Sequence, residues 1–278
     1  MVACGDGTIL AIMANWLFSI SALAALLPAG WAGLNPRQRP DRAFWGTLAL
    51  ALVGPGLWVG MQLSDSWRTG LSTALWLIIV ASLSLYVAVA LTNRHAWRLT
   101  PLLIGYLFVL GLLAVIWQQA PERPLLGTAP GAWLQVHILV SVVAYGLLTL
   151  GAVAGLGVFL QERALKAKRP SRLTRLLPSV ADGEKLCLEL LVASEIVLAV
   201  GVLSGMGTTY YEAGSFLRID HKAVLSIATF AVIGILIVAH YRHGVRGRQA
   251  SRLVLFAYLL LTLAYPGVKF VTDILIGS

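Results

Sequence analysis

The stretch RIDHKAVLSIATFAVIGILIVAHYRHG, residues 218–244, decides the fold class. Between Lys222 and His240 it is uncharged and strongly apolar. A run of this kind is a candidate transmembrane helix, because the hydrocarbon core of a bilayer requires about 20 such residues. A histidine stands at each end, His221 and His240, in a chain that has only five histidines. The stretch therefore predicts a membrane helix and also supplies the first candidate functional residues.

Similar apolar runs recur along the whole chain. Of its 278 residues, 58% are hydrophobic and 12% are charged, which is about half the charged fraction of a soluble domain. The runs are continuous rather than alternating, which argues against a β-barrel. The sequence predicts an all-α integral membrane protein, with one transmembrane domain over residues 1–278. We expect eight spans, at about 8–34, 43–63, 70–92, 99–118, 131–161, 186–207, 219–241 and 252–275.

The basic residues predict the orientation of the bundle. Sixteen of the 21 Lys and Arg lie in or beside the connections at 35–42, 93–98, 162–185 and 242–252. Positive loops stay in the cytoplasm, so both termini are expected on the outer, periplasmic side. The net charge of +9 could also indicate nucleic-acid binding, but a basic cytoplasmic rim explains it more simply. We expect membrane lipids and no nucleic acid as partners.

Three polar residues are predicted near the outer side of the later spans. His137 is six residues into the fifth span, roughly 9 Å below its outer end. His221 opens the seventh span, and Lys269 is a turn or two from the outer end of the eighth. Polar groups at membrane depth are costly and usually functional or paired. The three are expected to converge if these spans pack together; a core hydrogen bond from His137 to Ser141 or to a neighbouring helix is the alternative.

His240 belongs to a different location. It follows His221 by 19 residues, so the two lie about 28 Å apart along a helix and cannot bind one metal. His240 could cap the carbonyls at the end of its helix or act as a ligand. His95 and His243 are expected to lie in interfacial water. The sequence thus predicts two histidine locations on opposite sides of the membrane.

Other polar and small residues suggest packing or proton chemistry. Glu195 falls near the middle of the sixth span, where an ionised carboxylate is costly; a proton relay and a hydrogen bond to a neighbouring hydroxyl both stay open. Gly201 and Gly205 form a GxxxG pattern that favours close helix packing. Cys4 and Cys187 are predicted on opposite faces and cannot form a disulfide. No nucleotide-binding, metalloprotease or serine-hydrolase motif is present, so we expect no enzyme.

Two segments carry a family resemblance. WLQVHILVSVVAYGLLTLGA, residues 133–152, resembles the region around an outer-side histidine in cytochrome c assembly proteins of the CcsA/CcmC type. VLSGMGTTYYEAGSFLRIDHKAVLSIATFAVIGILIVAHYRHG, residues 202–244, is similar to the family's next landmark, an outer loop, an Asp-Pro-Lys-Glu stretch and a span ending in Leu-His-x-Arg. LTLAYPGVKFVTDIL, residues 261–275, is similar to the last span of the small HemX-like branch. The resemblance covers residues 131–275, a family-like core of spans five to eight.

Individual positions match this pattern to different degrees. Asp220 and Lys222 stand at the family's Asp and Lys, while His221 takes the place of the proline. His240 and Arg242 match the terminal His and Arg.

The resemblance implies that the protein binds and handles haem in the membrane. His137 would then be the outer axial ligand, and His240 the membrane histidine near the cytoplasmic side. The family's second outer histidine is not preserved, and Lys269 occupies its neighbourhood. The Trp-rich outer loop is also missing, because no tryptophan follows Trp133. These departures favour the HemX-like branch, with a role in haem supply or in control of haem synthesis.

The chemistry of the candidate residues is compatible with haem b. Haem iron accepts imidazole as an axial ligand, so His137 and His221 are the candidate iron ligands. Cations suit the propionates and aromatic rings suit the macrocycle. The cations and aromatic residues predicted at this level are Arg218, Lys222, Lys269, Trp133, Tyr210, Tyr211 and Phe216. At the inner level, His240 and Arg242 could hold haem that arrives from the cytoplasm.

The sequence therefore predicts a haem-binding protein of the bacterial inner membrane. It would transport or hold haem for cytochrome c maturation or haem supply, with proteins of those pathways as partners. The alternative is a membrane scaffold or regulator, for example of haem biosynthesis, that keeps the fold without haem and docks a partner through loop 162–185. A metal-ion transporter is a third hypothesis, which the scarcity of intramembrane Asp and Glu disfavours.

Overall fold

A computed structural model describes residues 3–35, 39–65, 68–120, 123–124, 131–215 and 220–271. The first half contains α1 (Ala3–Ala24), α2 (Leu27–Leu34), α3 (Arg42–Asp65), α4 (Leu71–Thr92) and α5 (Thr100–Ile116), with a 3-10 turn at Ala96–Leu99. The second half contains α6 (Gly131–Lys166), α7 (Arg172–Leu176), α8 (Val180–Ala213), α9 (His221–His243), α10 (Gly247–Thr262), a π-helical turn at Leu263–Gly267, and α11 (Val268–Phe270).

Eight segments of the described chain are long and apolar enough to cross a membrane. They are Met13–Leu34, Arg42–Leu63, Leu71–Thr92, Ala96–Ile116, Gly131–Lys166, Val180–Tyr211, His221–His243 and Gly247–Phe270. The predicted all-α membrane bundle and its number of spans are confirmed.

The two ends of the bundle are distinguished by the connections and helix termini that lie at each. Successive crossings alternate in direction, so the connections at 93–99, 167–179 and 244–246 share one end, called the basic end. The connections at 66–70 and 117–130 share the other, called the terminal end because α1 begins and α11 ends there. Which end faces the cytoplasm stays a prediction from the charge pattern.

A two-residue β-ladder joins two connections at the terminal end. β1 (Arg68–Thr69) pairs antiparallel with β2 (Arg123–Pro124), with Arg68 opposite Pro124 and Thr69 opposite Arg123. The ladder ties the α3–α4 connection to the α5–α6 connection, and nothing in the hydropathy pattern predicts it.

The first half packs tightly around small residues. A Cβ on Gly54 of α3 would lie 2.6 Å from Ala25 Cβ, at the turn between α1 and α2. A Cβ on Gly111 of α5 would lie 2.7 Å from Leu23 Cδ1. Trp76 of α4 is completely buried in this half. The first span is two helices rather than one, because Pro28 lies at the start of α2 and cannot continue the hydrogen bonding of α1. Helix α3 packs closely against the turn between them.

Helix α6 is the centre of the second half and packs against α8, α10 and α4. The glycines of α6 allow neighbouring helices to approach it closely. A Cβ on Gly146 would lie 2.7 Å from Leu85 Cδ1 of α4, and one on Gly155 would lie 3.5 Å from Val254 Cγ1 of α10. Because neither glycine carries a side chain, both neighbouring helices approach the α6 backbone directly.

A hydrogen-bonded tyrosine network connects three helices in the interior. Tyr106 of α5 and Tyr258 of α10 are joined through their hydroxyls. Thr149 Oγ1 of α6 is hydrogen-bonded to Tyr258 Oη at 3.1 Å. Tyr145 of α6 is bonded to Thr262 Oγ1 of α10 at 3.0 Å, and its ring centroid lies 5.7 Å from that of Tyr258. Interhelical hydrogen bonds between neutral side chains favour helix association in a bilayer, so the network fixes α5, α6 and α10 together.

One carboxyl group is hydrogen-bonded to the start of α10 at the basic end, and a second lies against it. Gly247 N–H donates to Glu184 Oε1 of α8 at 2.6 Å. A Cβ on Gly247 would overlap the Glu162 carboxyl of α6, and its φ of 62° lies in the left-handed region. Carboxylates near a helix N-terminus are stabilised by the unsatisfied N–H groups there. This contact holds α6, α8 and α10 together at the basic end.

The observed bounds of α8 depart most from the prediction. The span expected at 186–207 is a helix over Val180–Ala213, because Ser179 caps its start and Gly214, at φ 67°, ends it. The predicted loop 162–185 is correspondingly shorter, at 167–179, and it contains α7. Gln161 Nε2 donates to Thr174 O at 2.7 Å and to Pro178 O at 3.0 Å, which attaches this turn to α6.

The last span contains a widened turn. Pro266 has no N–H and its ring crowds the carbonyl four residues earlier, and the chain forms a π-helical turn at Leu263–Gly267. The predicted span 252–275 begins five residues earlier, at Gly247; its residues 272–275 lie outside the described chain.

We expect Tyr258→Phe to lower the free energy of unfolding by about 1–2 kcal/mol, because it removes a hydroxyl that bonds two other helices. The measurement is unfolding in mixed detergent micelles, followed by circular dichroism. Tyr241→Phe is the matched control, since Tyr241 is exposed on α9 and its change should be close to zero. Equal effects of the two variants would contradict a stabilising role for the network.

Candidate functional site

His137 lies on α6 near the terminal end and faces α8. Its Nδ1 is 2.9 Å from Ser204 Oγ. The Ser204 hydroxyl in turn donates to Gly201 O at 3.0 Å. A hydroxyl has one hydrogen, so Ser204 Oγ accepts from His137 Nδ1–H. The neutral imidazole then keeps the lone pair on Nε2, which is the form that binds a metal.

Two glycines of α8 make room for the side chains of α6. A Cβ on Gly205 would lie 3.1 Å from His137 Cε1, and a Cβ on Gly207 would lie 2.6 Å from Trp133 Cζ2. Gly201 is also in contact, since its Cβ would lie 3.6 Å from Val140 Cγ1. The close packing predicted from Gly201 and Gly205 is therefore confirmed, and Gly207 extends it.

Aromatic residues continue the site toward the helix ends. Trp133 Nε1–H donates to Ser204 O at 3.2 Å, so one serine accepts from both Trp133 and His137. The Trp133 ring meets Tyr211 edge-on, with centroids 6.4 Å apart. Tyr211 meets Tyr210 in the same way, also at 6.4 Å. We call Trp133, His137, Ser204, Tyr210 and Tyr211 the His137 cluster.

Helix registers give the depth of the His137 cluster. The Glu195 carboxyl of α8 lies against Gly234 of the antiparallel α9. Ser204 is nine residues from Glu195, and the same count along α9 from Gly234 reaches the residue three positions after Lys222. His137, which bonds Ser204, therefore lies about one turn, roughly 5 Å, deeper than Lys222.

His221 and Lys222 lie in the first turn of α9. Both are exposed, and Asp220 Oδ1 accepts from Ala223 N–H at 2.7 Å and caps the helix. Within the described chain, no hydrogen bond or ring contact links His221 to His137. The predicted pairing of these two histidines stays a prediction. Arg218 and Phe216 lie outside the described residues.

Lys269 occupies the short helix after the π-helical turn. It is partly buried, and the adjacent Phe270 meets Trp117 edge-on at 5.1 Å, which places this turn beside the end of α5. The hydrogen bond of His137 goes to Ser204 rather than to Lys269. Convergence of His137, His221 and Lys269 likewise stays a prediction.

His240 lies at the basic end of α9 and is bonded locally. Its Nδ1 is 3.0 Å from Val245 O, and a carbonyl can only accept, so Nδ1 carries the hydrogen and Nε2 keeps its lone pair. Val245 follows Gly244, the left-handed residue that ends α9. Val245 O lies beyond the end of α9, so this bond does not cap a carbonyl of the helix itself. The ligand role of His240 stays a prediction.

The remaining histidine contacts are peripheral. His95 Nδ1 lies 3.9 Å from Asp182 Oδ2, with both side chains substantially exposed. Across the described ranges, no three His, Cys, Asp or Glu side chains gather closely enough to hold a metal ion. The metal-ion transporter hypothesis thus has no preformed ligand cluster in that part of the chain.

Sequence reasoning missed Ser204 as the partner of His137, and it missed the tyrosine network. A small-residue signal was available, because Gly201, Ser204, Gly205 and Thr208 recur at helical spacing on one face of α8. The network gives no comparable signal, since its tyrosines come from helices far apart in the chain.

Comparison with known proteins identifies the family. Residues 67–276 match the family model described as Cytochrome C assembly protein, and the chain belongs to that family. It is 54% identical over 269 residues to an uncharacterized 28.8 kDa protein in the nifR3-like 5' region of Azospirillum brasilense, covering 95% of this chain and 99% of that one.

More distant relatives are similar over part of the chain. Protein HemX of Brevibacillus brevis is 24% identical over 60% of this chain and 61% of its own length. Inner membrane protein YpjD of Escherichia coli K12 is 27% identical over 68% of this chain and 70% of its own. No solved structure matches the chain at a significant level. The family predicted from residues 133–152 and 202–244 is confirmed.

We expect Gly207→Ala to destabilise the protein although alanine is the better helix former. The added Cβ would displace Trp133 and break its bond to Ser204 O, which should outweigh the gain in helix propensity of about 1 kcal/mol. Gly105→Ala is the matched control, because nothing lies within 4 Å of its added Cβ. The same micelle unfolding assay should show opposite signs; stabilisation by both substitutions would contradict the described packing at Trp133.

Proposed function

We propose that the protein binds haem at the His137 cluster and holds or passes it on for cytochrome c assembly or haem supply. The observation that carries the proposal is the hydrogen-bond order around His137. Because Ser204 fixes the hydrogen on Nδ1, Nε2 is left as a metal-binding nitrogen near the membrane surface. Haem iron takes such an imidazole nitrogen as its axial ligand.

The surrounding residues fit a haem macrocycle. Trp133 and Tyr211 supply aromatic surface beside the imidazole, and an apolar, aromatic lining is usual for cofactor sites. Lys222 lies about one turn nearer the membrane surface than His137. Lys222 would therefore be a cation available to the haem propionates on the side of His137 nearer the membrane surface.

Each residue has a distinct role under this proposal. Bound haem would supply an iron centre, which His137 would hold through Nε2. Ser204 orients the imidazole and increases the basicity of Nε2, as second partners of ligating histidines do. Trp133 and Tyr211 shield one side from water, and Lys222 pairs with a propionate. His221 is the candidate second ligand, and Lys269 and Tyr210 belong to the rim of the same site.

His240 would form a second location at the basic end. Its Nε2 is available because Nδ1 is held by Val245 O, and Arg242 is exposed two residues further on. Haem arriving from the cytoplasm would meet this histidine first. The two ends of α9 would then mark two positions on one route across the membrane.

The relatives support the cellular setting. The family description refers to cytochrome c assembly, and the relative in Escherichia coli is named an inner membrane protein. These names support a bacterial inner membrane as the location. Haem as the ligand, and maturation or haem-synthesis proteins as partners, are part of our proposal. We assign the protein no enzymatic activity.

A membrane scaffold or regulator without haem is the alternative function. The turn at 167–179 favours it, because Gln161 attaches that turn to α6 while its basic side chains stay exposed. These exposed basic residues are Lys168, Arg169, Arg172 and Arg175. A fixed, basic surface of this kind would suit an acidic partner protein.

The first experiment is an absorption spectrum of the purified protein, oxidised and reduced, with a pyridine haemochrome assay on the same sample. We expect a Soret band that is lost or strongly weakened in His137→Ala and weakened in His221→Ala. His95→Ala is the control and should keep the band, since His95 is exposed beside Asp182. Absence of haem in the wild type, even after expression with excess haem precursor, would favour the scaffold.

A second measurement tests the orienting role of Ser204. We expect Ser204→Ala to weaken haem binding by about 10–100-fold, the usual effect of removing a ligand's supporting hydrogen bond. Ser141→Ala is the matched control, because Ser141 is exposed on α6, the helix of His137, and its replacement should leave the affinity unchanged. Affinity is measured by haem titration of the apoprotein; equal losses in both variants would contradict the assigned hydrogen-bond order.

A further inference from the structure

Glu195 is an isolated acid inside the membrane. Residues 190–211 of α8 contain no other Asp, Glu, Lys, Arg or His, and residues 223–239 of α9 contain none. Glu195 lies level with Gly234, which is near the middle of that uncharged part of α9. The His137 cluster is nine residues away along α8, roughly 14 Å, so Glu195 belongs to a separate location.

The half-buried carboxyl group of Glu195 lies against α9. Its Oε1 occupies the space that a side chain on Gly234 would need, since a Cβ there would lie 3.0 Å from Oε1. Its Oε2 is buried and has no hydrogen-bond partner in the described chain. Because Gly234 has no side chain, the carboxyl group of Glu195 fits against it. Gly234 donates no hydrogen bond to that carboxyl group.

The groups around Glu195 do not stabilise a negative charge. The register of α6 against α8 places Tyr145 at this depth, and its hydroxyl is bonded to Thr262. The next acid on α8, Glu189, lies 4.0 Å from Lys185 and is exposed with it. An ionised carboxylate without a partner is unfavourable in the hydrocarbon region, whereas the neutral acid needs only one acceptor.

We propose that Glu195 and Gly234 form a proton-binding site within the membrane. The carboxyl holds a proton while α8 and α9 are in contact, and releases it to water when that contact opens. The step is a simple dissociation, in which the O–H bond breaks, the electron pair stays on the carboxylate and water takes the proton. The site does not depend on haem, because it uses no residue of the His137 cluster.

Labelling with the apolar reagent dicyclohexylcarbodiimide tests the site in the full-length protein in lipid nanodiscs. The reagent partitions into the bilayer and attacks protonated carboxyls. We expect Glu195 to be modified, as read by peptide mass spectrometry, and the yield to fall about tenfold for each pH unit above its midpoint. Glu189 is the internal control and should stay unmodified, because it is exposed and beside a lysine.

Hydrogen exchange tests the coupling to the helix contact. Glu195→Gln keeps the shape of the side chain and cannot ionise. At each pH, we compare exchange of the α9 amides in wild type and in this variant. We expect equal exchange at acidic pH and faster exchange in the wild type at alkaline pH, where its carboxyl is ionised and α9 separates from α8.

Two results would overturn the proposal. The first is an unlabelled Glu195 at every pH in a sample where the reagent modifies another carboxyl. The second is identical α9 exchange in wild type and Glu195→Gln across the whole pH range. Haem content of Glu195→Gln, measured in parallel, should match the wild type; a failure of haem binding in both proteins would leave the labelling result unaffected and would count only against the haem proposal.

Discussion

The contact at Ser204 between α6 and α8 is the interaction on which the terminal end of the molecule depends. One residue accepts from Trp133 through its carbonyl and from His137 through its hydroxyl. Neither bond forms unless the two backbones come close, which glycines at 205 and 207 permit. In a bilayer, where lipid tails are as apolar as leucine, such close packing and interhelical hydrogen bonding replace the hydrophobic effect as the source of helix association. The same contact that assembles the fold therefore also orients the candidate ligand.

The sequence was sufficient for some features and insufficient for others, for physical reasons. The number of spans follows from hydropathy, because bilayer thickness sets a length that each apolar run must meet. The ends of α8 do not follow from hydropathy. Glu184 and Lys185 are good helix formers outside lipid, and Asp182 is favourable in the first turn behind the Ser179 cap, so the helix begins before the apolar run. The sequence narrowed the hydrogen-bond partner of His137 to Ser141 or a residue of a neighbouring helix. The packing of α6 against α8 shows that the partner is Ser204 of the neighbouring helix.

Helix α9 carries more of the candidate chemistry than any other element and is among the less buried of the spans. Its first turn holds His221 and Lys222, its last turn holds His240, and its middle holds the glycine that receives Glu195. Its contacts with α8, α10 and the π-helical turn are fewer than those that surround α6. A helix with these properties can change position at lower cost than the central α6, while α6 and α8 keep their mutual register. The candidate functional residues of α9 therefore lie on a helix that can change position when a ligand or a proton binds.

The depth of His137 has a consequence for how a ligand arrives. If His137 binds haem as proposed, its imidazole, one turn inside the charged layer of α9, would lie where lipid headgroups give way to hydrocarbon. An amphiphile dissolved in that leaflet, with an apolar body and a charged edge, would already be at this depth and would reach the site by lateral diffusion in two dimensions. The concentration that governs occupancy is then the number of ligand molecules per area of membrane. Occupancy in the cell would follow how strongly the ligand partitions into lipid, even when its concentration in water is negligible.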